Sequence, residues 1–220
     1  MEFISISKNV VSEEVTSDNY DFPTFYFSFP NKKFYFRPLS LEVGSLNFVN
    51  GEHNSGKSLF LKSLSGLEIP NEKPKNTNFL QYNIIYKPET ITPKFQSTLQ
   101  NFINEKSLQN FEYFQTFYPL LQSHLKTNIP DLPEDIKQIL SFILFINREG
   151  LIYIFDCPPI TQSIKNLFWN ILKEFCYQND KIALVVENNN EVIDEFINND
   201  NGIVYYIRKF SENEYFGQCE

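Results

Sequence analysis

The eight residues Gly51-Glu52-His53-Asn54-Ser55-Gly56-Lys57-Ser58 place glycine at the first and sixth positions, then an ammonium and a hydroxyl. That spacing, G-x-x-x-x-G-K-S, suits the capture of a phosphate chain. The glycines let the backbone curl until successive N–H groups face one anion. The start of a following helix adds partial positive charge. The pattern predicts Gly51, Asn54, Ser55, Gly56, Lys57, Ser58 and Leu59 as binding residues. Lys57 would reach the β- and γ-phosphates of a nucleoside triphosphate and Ser58 would ligate Mg²⁺, so ATP and Mg²⁺ are the expected cofactors. A second carboxylate supports the reading. Asp156 follows the apolar run Leu151–Phe155, and an acid at the end of such a strand can hold the water shell of Mg²⁺.

The elements that must position these groups show in the hydrophobic pattern. Leu46-Asn47-Phe48-Val49 reads as a buried strand leading into the loop. Lys57–Leu67 reads as the helix leaving it, with Leu59, Phe60, Leu61, Leu64 and Leu67 at helical spacing. Phe79–Tyr86, Leu151–Phe155, Ile182–Val186 and a final run Ile203–Ile207 predict further strands, and residues 162–177 and 190–198 predict helices. Upstream, Phe25, Phe27 and Phe29 alternate, Asn31-Lys32-Lys33 turns, and Phe34, Phe36 and Leu39 follow, an antiparallel pattern. Residues 95–145 are helical in character, broken at Asn128–Pro133. Residues 1–20 are polar and acidic and are expected to be poorly ordered, and the C-terminal tail is polar. Apolar strands alternating with helices predict a mostly parallel sheet covered on both faces, with the ligand beyond the strands' carboxyl ends.

Composition narrows the function classes. With 220 residues, 42% of them hydrophobic, the chain can bury a core without disulfide staples. A net charge of −8 argues against broad nonspecific binding to DNA or RNA, leaving any such contact to a local patch. Cys157, Cys176 and Cys219 lie far apart and only His53 and His124 could join them, so no zinc, iron–sulfur or disulfide framework is expected. His53 is expected to face solvent and His124 to be structural. The N-terminus has no signal-peptide pattern, and Ile139–Ile146, the longest apolar run, is too short to span a membrane. A soluble, cytoplasmic protein without a membrane partner is the expectation.

The stretch Asn50–Pro70 resembles the strand, loop, helix and exit of an ATP-binding-cassette (ABC) ATPase domain. Tyr86-Lys87-Pro88-Glu89, Ile91-Thr92-Pro93-Lys94 and Ala183–Asn188 are more specific, being similar to the second nucleotide-binding domain of the ribosome-recycling class of ABC proteins. The resemblance runs from about residue 20 to residue 207. It implies an α/β P-loop NTPase fold of ABC type: a mostly parallel sheet, an N-terminal antiparallel β element, and a helical subdomain over about 95–147. It divides the chain into an N-terminal extension, 1–20, and a single nucleotide-binding domain, 21–220. Phe29 falls where the family stacks an aromatic ring on adenine, with Phe27 as the alternative. The resemblance also implies the ribosome or a ribosomal subunit as partner, with a second ABC domain as another candidate.

Several positions depart from the family pattern. The glutamine that senses Mg²⁺ and the attacking water is Glu89, a carboxylate still able to ligate a metal alongside Ser58 and Asp156. The catalytic glutamate is Cys157, and the switch histidine is Asn188. The signature segment aligns with Asp131–Asp135, or alternatively with Leu140-Ser141, and either way lacks both glycines. The expectation is a degenerate ABC-type ATP-binding protein, weakly hydrolysing or not hydrolysing at all. Its rivals are an interaction protein that no longer binds nucleotide, and an ATPase subunit completed by a partner cassette in a transporter or repair complex.

Overall fold

The described N-terminal part of the chain is mostly strand, with aromatic residues alternating over residues 25–36. In the computed structural model, which describes residues 4–6, 19–71, 82–89, 95–156, 160–197 and 202–219, it comprises Ile4–Ile6 (β1), Asn19–Phe22 (β2), Phe25–Phe29 (β3), Lys32–Phe36 (β4), Leu39–Glu42 (β5) and Leu46–Gly51 (β6). Lys57–Leu64 (α1) leaves the glycine loop, and Ile84–Lys87 (β7) follows. A helical stretch then holds Leu99–Glu105 (α2), Phe114–Leu121 (α3) and Glu134–Ile146 (α4). The chain closes with Ile152–Phe155 (β8), Gln162–Asn179 (α5), Ile182–Val186 (β9), Asn190–Ile197 (α6), Val204–Ser211 (β10) and Glu214–Cys219 (β11).

Nine strands form one sheet in the order β1-β7-β8-β9-β6-β10-β11-β4-β3, and β2 pairs with β5 apart from it. The centre is parallel: β7 with β8, β8 with β9, β9 with β6, β6 with β10. Antiparallel pairs lie toward both edges, β1 with β7 on one side and β3 with β4 on the other. Every residue of β8 and β9 is buried, as a strand covered on both faces requires. Their side chains divide with period two. Ile152, Ile154, Ile182 and Leu184 join a core with Phe25, Phe36, Phe60 and Tyr205, and Tyr153, Phe155, Ala183 and Val185 face the helices. On that helical side Phe142 stacks on Phe168 at 4.1 Å, and Phe155 meets Trp169 edge-on at 5.4 Å.

Three expectations are corrected. Ile203–Ile207 does not mark the final strand: β11 follows in the polar tail and lies between β10 and β4, with Tyr215 and Gly217 turned inward. The start of the chain holds a strand, because Ile4–Ile6 completes the pairing of β7. β7 itself begins only at Ile84; Phe79–Gln81 of the expected strand lie outside the described residues. Among the described residues no helix is long and apolar enough to cross a membrane.

Candidate phosphate-binding cleft

β6, flanked by the parallel strands β9 and β10, ends at Gly51, and α1 begins at Lys57, so the glycine loop sits at the carboxyl edge of the sheet. Glycine at 51 is a packing requirement, since a Cβ there would stand 2.6 Å from the Ile207 carbonyl and 2.7 Å from Ser55 Oγ. Gly56 takes φ +96° just before the helix, the left-handed region glycine enters without strain. Asn54 has φ 60°, which asparagine tolerates better than most residues.

The loop borders an open cleft of about 380 Å³. It is lined by Asn54, Ser55, Gly56, Lys57, Ser58 and Leu59 together with Glu89, Asp156, Val186 and Asn188, and by Lys32 and His53. Lys57 Nζ donates to the carbonyls of Gly51 and Glu52 at 2.6 and 2.7 Å, so the ammonium braces its own loop. Burial lowers its pKa, and the carboxylates of Asp156 and Glu89 oppose that fall. Ser55 Oγ is buried and, among the described residues, has no hydrogen-bond partner. A bound phosphate oxygen would satisfy that hydroxyl.

Asp156 comes to the loop because β8 ends beside it. Its amide donates to the Lys87 carbonyl at 2.9 Å, and its carboxylate accepts from Tyr86 Oη at 3.2 Å and from the Ser58 hydroxyl. The side chain is only 5% exposed. Burial raises its pKa; the two hydroxyls and the charges of Lys62 and Lys87 pull the other way. Burial and the neighbouring Asp156 carboxylate also raise the Tyr86 pKa, so its hydroxyl stays protonated. Ser58 and Asp156 thus meet beneath the loop as one hydroxyl and one carboxylate. Among the described residues no group of three or more His, Cys, Asp or Glu could hold a metal. The sparse pair fits Mg²⁺, which keeps several waters and takes phosphate oxygens as further ligands.

A raised carboxyl pKa favours folding below the ordinary carboxylate range, and that contribution is lost as pH rises through the folded-state value. Above that value the ionised form of Asp156 is therefore a cost to the nucleotide-free chain. Asp156→Asn keeps one acceptor, gives the other hydroxyl a donor and removes the buried charge. Thermal melts across pH are expected to show the variant more stable than wild type near neutrality, by on the order of 1 kcal/mol. That advantage should shrink as pH falls through the raised folded-state value and vanish below the ordinary carboxylate range.

The structure brings Asn54, Ser55, Gly56, Lys57, Ser58 and Leu59 to one cleft with Asp156 and Glu89, whereas Gly51 lines a neighbouring one with Asn50 and Glu52. Phe29 is set apart: 47% exposed, stacked on Phe27, it lines an adjoining cleft with Pro30, Asn31, Lys32 and Lys33. Lys32 borders both clefts. Cys157 and Ile91–Lys94 lie outside the described residues. Asp131–Asp135 falls at the start of α4, whose first residue follows Pro133, whereas Leu140-Ser141 is mid-helix. Sequence reasoning missed the supports. Buried Glu187 accepts from the amides of Asn188 and Asn189 at 2.8 and 3.0 Å and from Trp169 Nε1 at 3.2 Å, fixing the turn that presents Asn188 to the cleft. Buried Lys87 donates to Gln138 at 2.7 Å, and Gln138 to Glu134 at 2.8 Å, tying β7 to the start of α4. A lysine inside an apolar strand was the signal for the second network.

A glycine loop between a central parallel strand and a helix, with a strand-end acid beneath it, has the architecture of an ABC nucleotide-binding domain. Solved cassettes share it; a nucleotide-free ATP-binding cassette from an ABC transporter superposes with a TM-score of 0.61 over 88% of this chain and 87% of that one, at 13% identity. More particularly, the chain resembles the protein known as RNase-L Inhibitor, whose structure aligns with a TM-score of 0.74 over 93% of this chain and 40% of its own, at 20% identity. The archaeal ribosome recycling factor aABCE1, solved with the ribosomal stalk protein aP1, aligns equally well, at 0.74, over 97% of this chain and 41% of that one, at 19% identity. In sequence, Translation initiation factor RLI1 of Chaetomium thermophilum is 27% identical over 161 residues, 68% of this chain and 26% of the relative. The chain thus spans about a quarter of that relative's length. No family model matches it.

Proposed function

We propose that this chain is a degenerate ABC-type protein that binds ATP with Mg²⁺, hydrolyses it weakly or not at all, and works with the ribosome in the cytoplasm, the nucleotide serving as a structural or regulatory ligand. Residues 21–220 are taken as the single cassette, with the helical subdomain over 95–147. The observation that carries the binding half is the meeting of Ser58 with Asp156 beneath a loop whose buried Ser55 hydroxyl lacks a partner among the described residues. The backbone of Gly51–Ser58 and the Lys57 ammonium would hold the phosphates, Ser58, Asp156 and Glu89 the cation, and Phe29 the base. Bound Mg²⁺ would supply charge neutralisation between phosphate oxygens.

Weak turnover is argued from the chain's own groups at the positions the family uses for chemistry. Asn188, at the cleft, brings an amide where a histidine could carry charge. Cys157 replaces the carboxylate that would take a proton from water, and a thiol is a poor substitute in that role. At the start of α4, Pro133 offers no N–H, and Glu134 and Asp135 would repel a phosphate. Phosphoryl transfer depends on positioning and electrostatics, so these losses compound. The ribosomal half rests on the similarity to a ribosome recycling factor and to translation initiation factors.

One sedimentation experiment tests both halves. Purified protein and ribosomal particles are run on a sucrose gradient with Mg-ATP, and phosphate release is assayed in each fraction. Comigration that depends on ATP, with release at background, is the expected result. Protein that stays at the top would remove the ribosomal assignment, and turnover at the rate of ordinary cassette ATPases would remove the degenerate one.

A further inference from the structure

Tyr86 is only 2% exposed, and its ring belongs to the core cluster that includes Ile84, Ile154 and Leu184. Packing accounts for the ring but not for the hydroxyl, since phenylalanine would fill the same space. The hydroxyl donates to Asp156 Oδ2 at 3.2 Å. The next residue, Lys87, accepts from the Asp156 amide at 2.9 Å. The end of β7 therefore holds both the main chain and the side chain of Asp156, and Ser58 at the start of α1 holds the same carboxylate from another element. A free aspartate can turn about two side-chain torsions; a carboxylate gripped by hydroxyls from two rigid elements cannot. The two O–H groups take two of its roughly four acceptor sites and leave the others for a cation or the waters of its shell. Tyr86 is not among the residues lining the cleft, so it can reach a ligand only through Asp156.

We propose that Tyr86 is a positioning residue whose hydroxyl locks Asp156 in the orientation that receives the divalent cation of a bound nucleotide. The proposal rests on the nucleotide-binding reading above and specifies how its metal half is built. Outer-shell partners of this kind typically change metal affinity by about 10–100-fold when removed.

The test is Tyr86→Phe in the full chain, which keeps the ring in its core. ATP is titrated calorimetrically with Mg²⁺ and, separately, in EDTA. Wild type is expected to bind more tightly with Mg²⁺. Tyr86→Phe should lose about tenfold of the Mg²⁺-dependent gain and keep the EDTA affinity. Tyr153→Phe is the control for a structural effect, because that buried hydroxyl donates to the Arg148 carbonyl, away from the cleft; it should leave the Mg²⁺-dependent gain as in wild type. If Tyr86→Phe keeps the full gain, loses affinity equally with and without Mg²⁺, or behaves like Tyr153→Phe, the positioning role is wrong while nucleotide binding stands. Wild type that binds ATP under neither condition would overturn both.

Discussion

Replacing Lys57 with alanine is expected to abolish the rise in Tm that Mg-ATP gives the wild-type chain. A ligand at about 100 times its Kd stabilises the folded state by about 2.7 kcal/mol, roughly 5–10 °C for a chain of this size. Lys57 decides whether that binding occurs because it is the ammonium at the centre of the loop. Its Nζ already sits 2.6 Å from the Gly51 carbonyl and 2.7 Å from the Glu52 carbonyl, aligned for a phosphate to join as a third acceptor. Asp156 and Glu89 bring two carboxylates to the same cleft, and without the ammonium only Lys32 among the lining residues carries fixed positive charge to offset them. Nothing else in the loop carries fixed positive charge. The unliganded variant should melt only slightly lower, by on the order of 1 kcal/mol, since the freed carbonyls stay within reach of water. Differential scanning fluorimetry against rising Mg-ATP reads both numbers. A Lys57→Ala variant whose melting point climbs as steeply as wild type would show that the nucleotide, if bound, is bound elsewhere.

How much of this was legible in the sequence depends on the range of the interactions. The glycine loop, α1, β8, β9 and α5 are written in local spacing: every residue of β9 is apolar because both faces are covered, and a run of five such residues can be read without knowing its neighbours. β11 could not be read this way. Its sequence, Glu-Tyr-Phe-Gly-Gln-Cys, is polar only at its first and fifth positions, holds a glycine and shows no clean alternation. It becomes a strand because β10 and β4 offer their edges on either side, and because the space at Gly217 is taken by the Tyr205 and Phe36 rings, leaving no room for a side chain. β1 is a strand for the same reason, borrowed from the edge of β7. In the cleft, the loop and Asp156 announced themselves by motif. Tyr86 did not, since seventy residues separate it from Asp156, and only the parallel pairing of β7 with β8 makes them neighbours. β7, which begins later than its apolar pattern suggests, is thus the strand whose end organises the proposed metal site.

Phe142→Ala should be the most damaging single truncation away from the cleft, with a fall in Tm of about 10 °C. The ring is fully buried and sits where four elements meet: it stacks on Phe168 of α5 at 4.1 Å and meets Phe117 of α3 and Phe155 of β8 edge-on at 5.7 and 5.8 Å. Phe155 is the residue before Asp156, so the cavity opens directly behind the strand end that presents the carboxylate. Deleting a buried phenylalanine typically costs about 3–5 kcal/mol, much of the roughly 5–15 kcal/mol that separates a folded domain from its unfolded chain. The variant is also a sensitive background for the ligand. Saturating Mg-ATP acts on the folded state alone, so at about 100 Kd it should return about 2.7 kcal/mol and lift the melting point most of the way back. Phe142→Ala combined with Lys57→Ala should show the same initial fall and no recovery. A recovery in the double variant would uncouple the stabilisation from the loop, and a Phe142→Ala chain melting within a degree or two of wild type would mean that α4, α5 and β8 do not share the core described here.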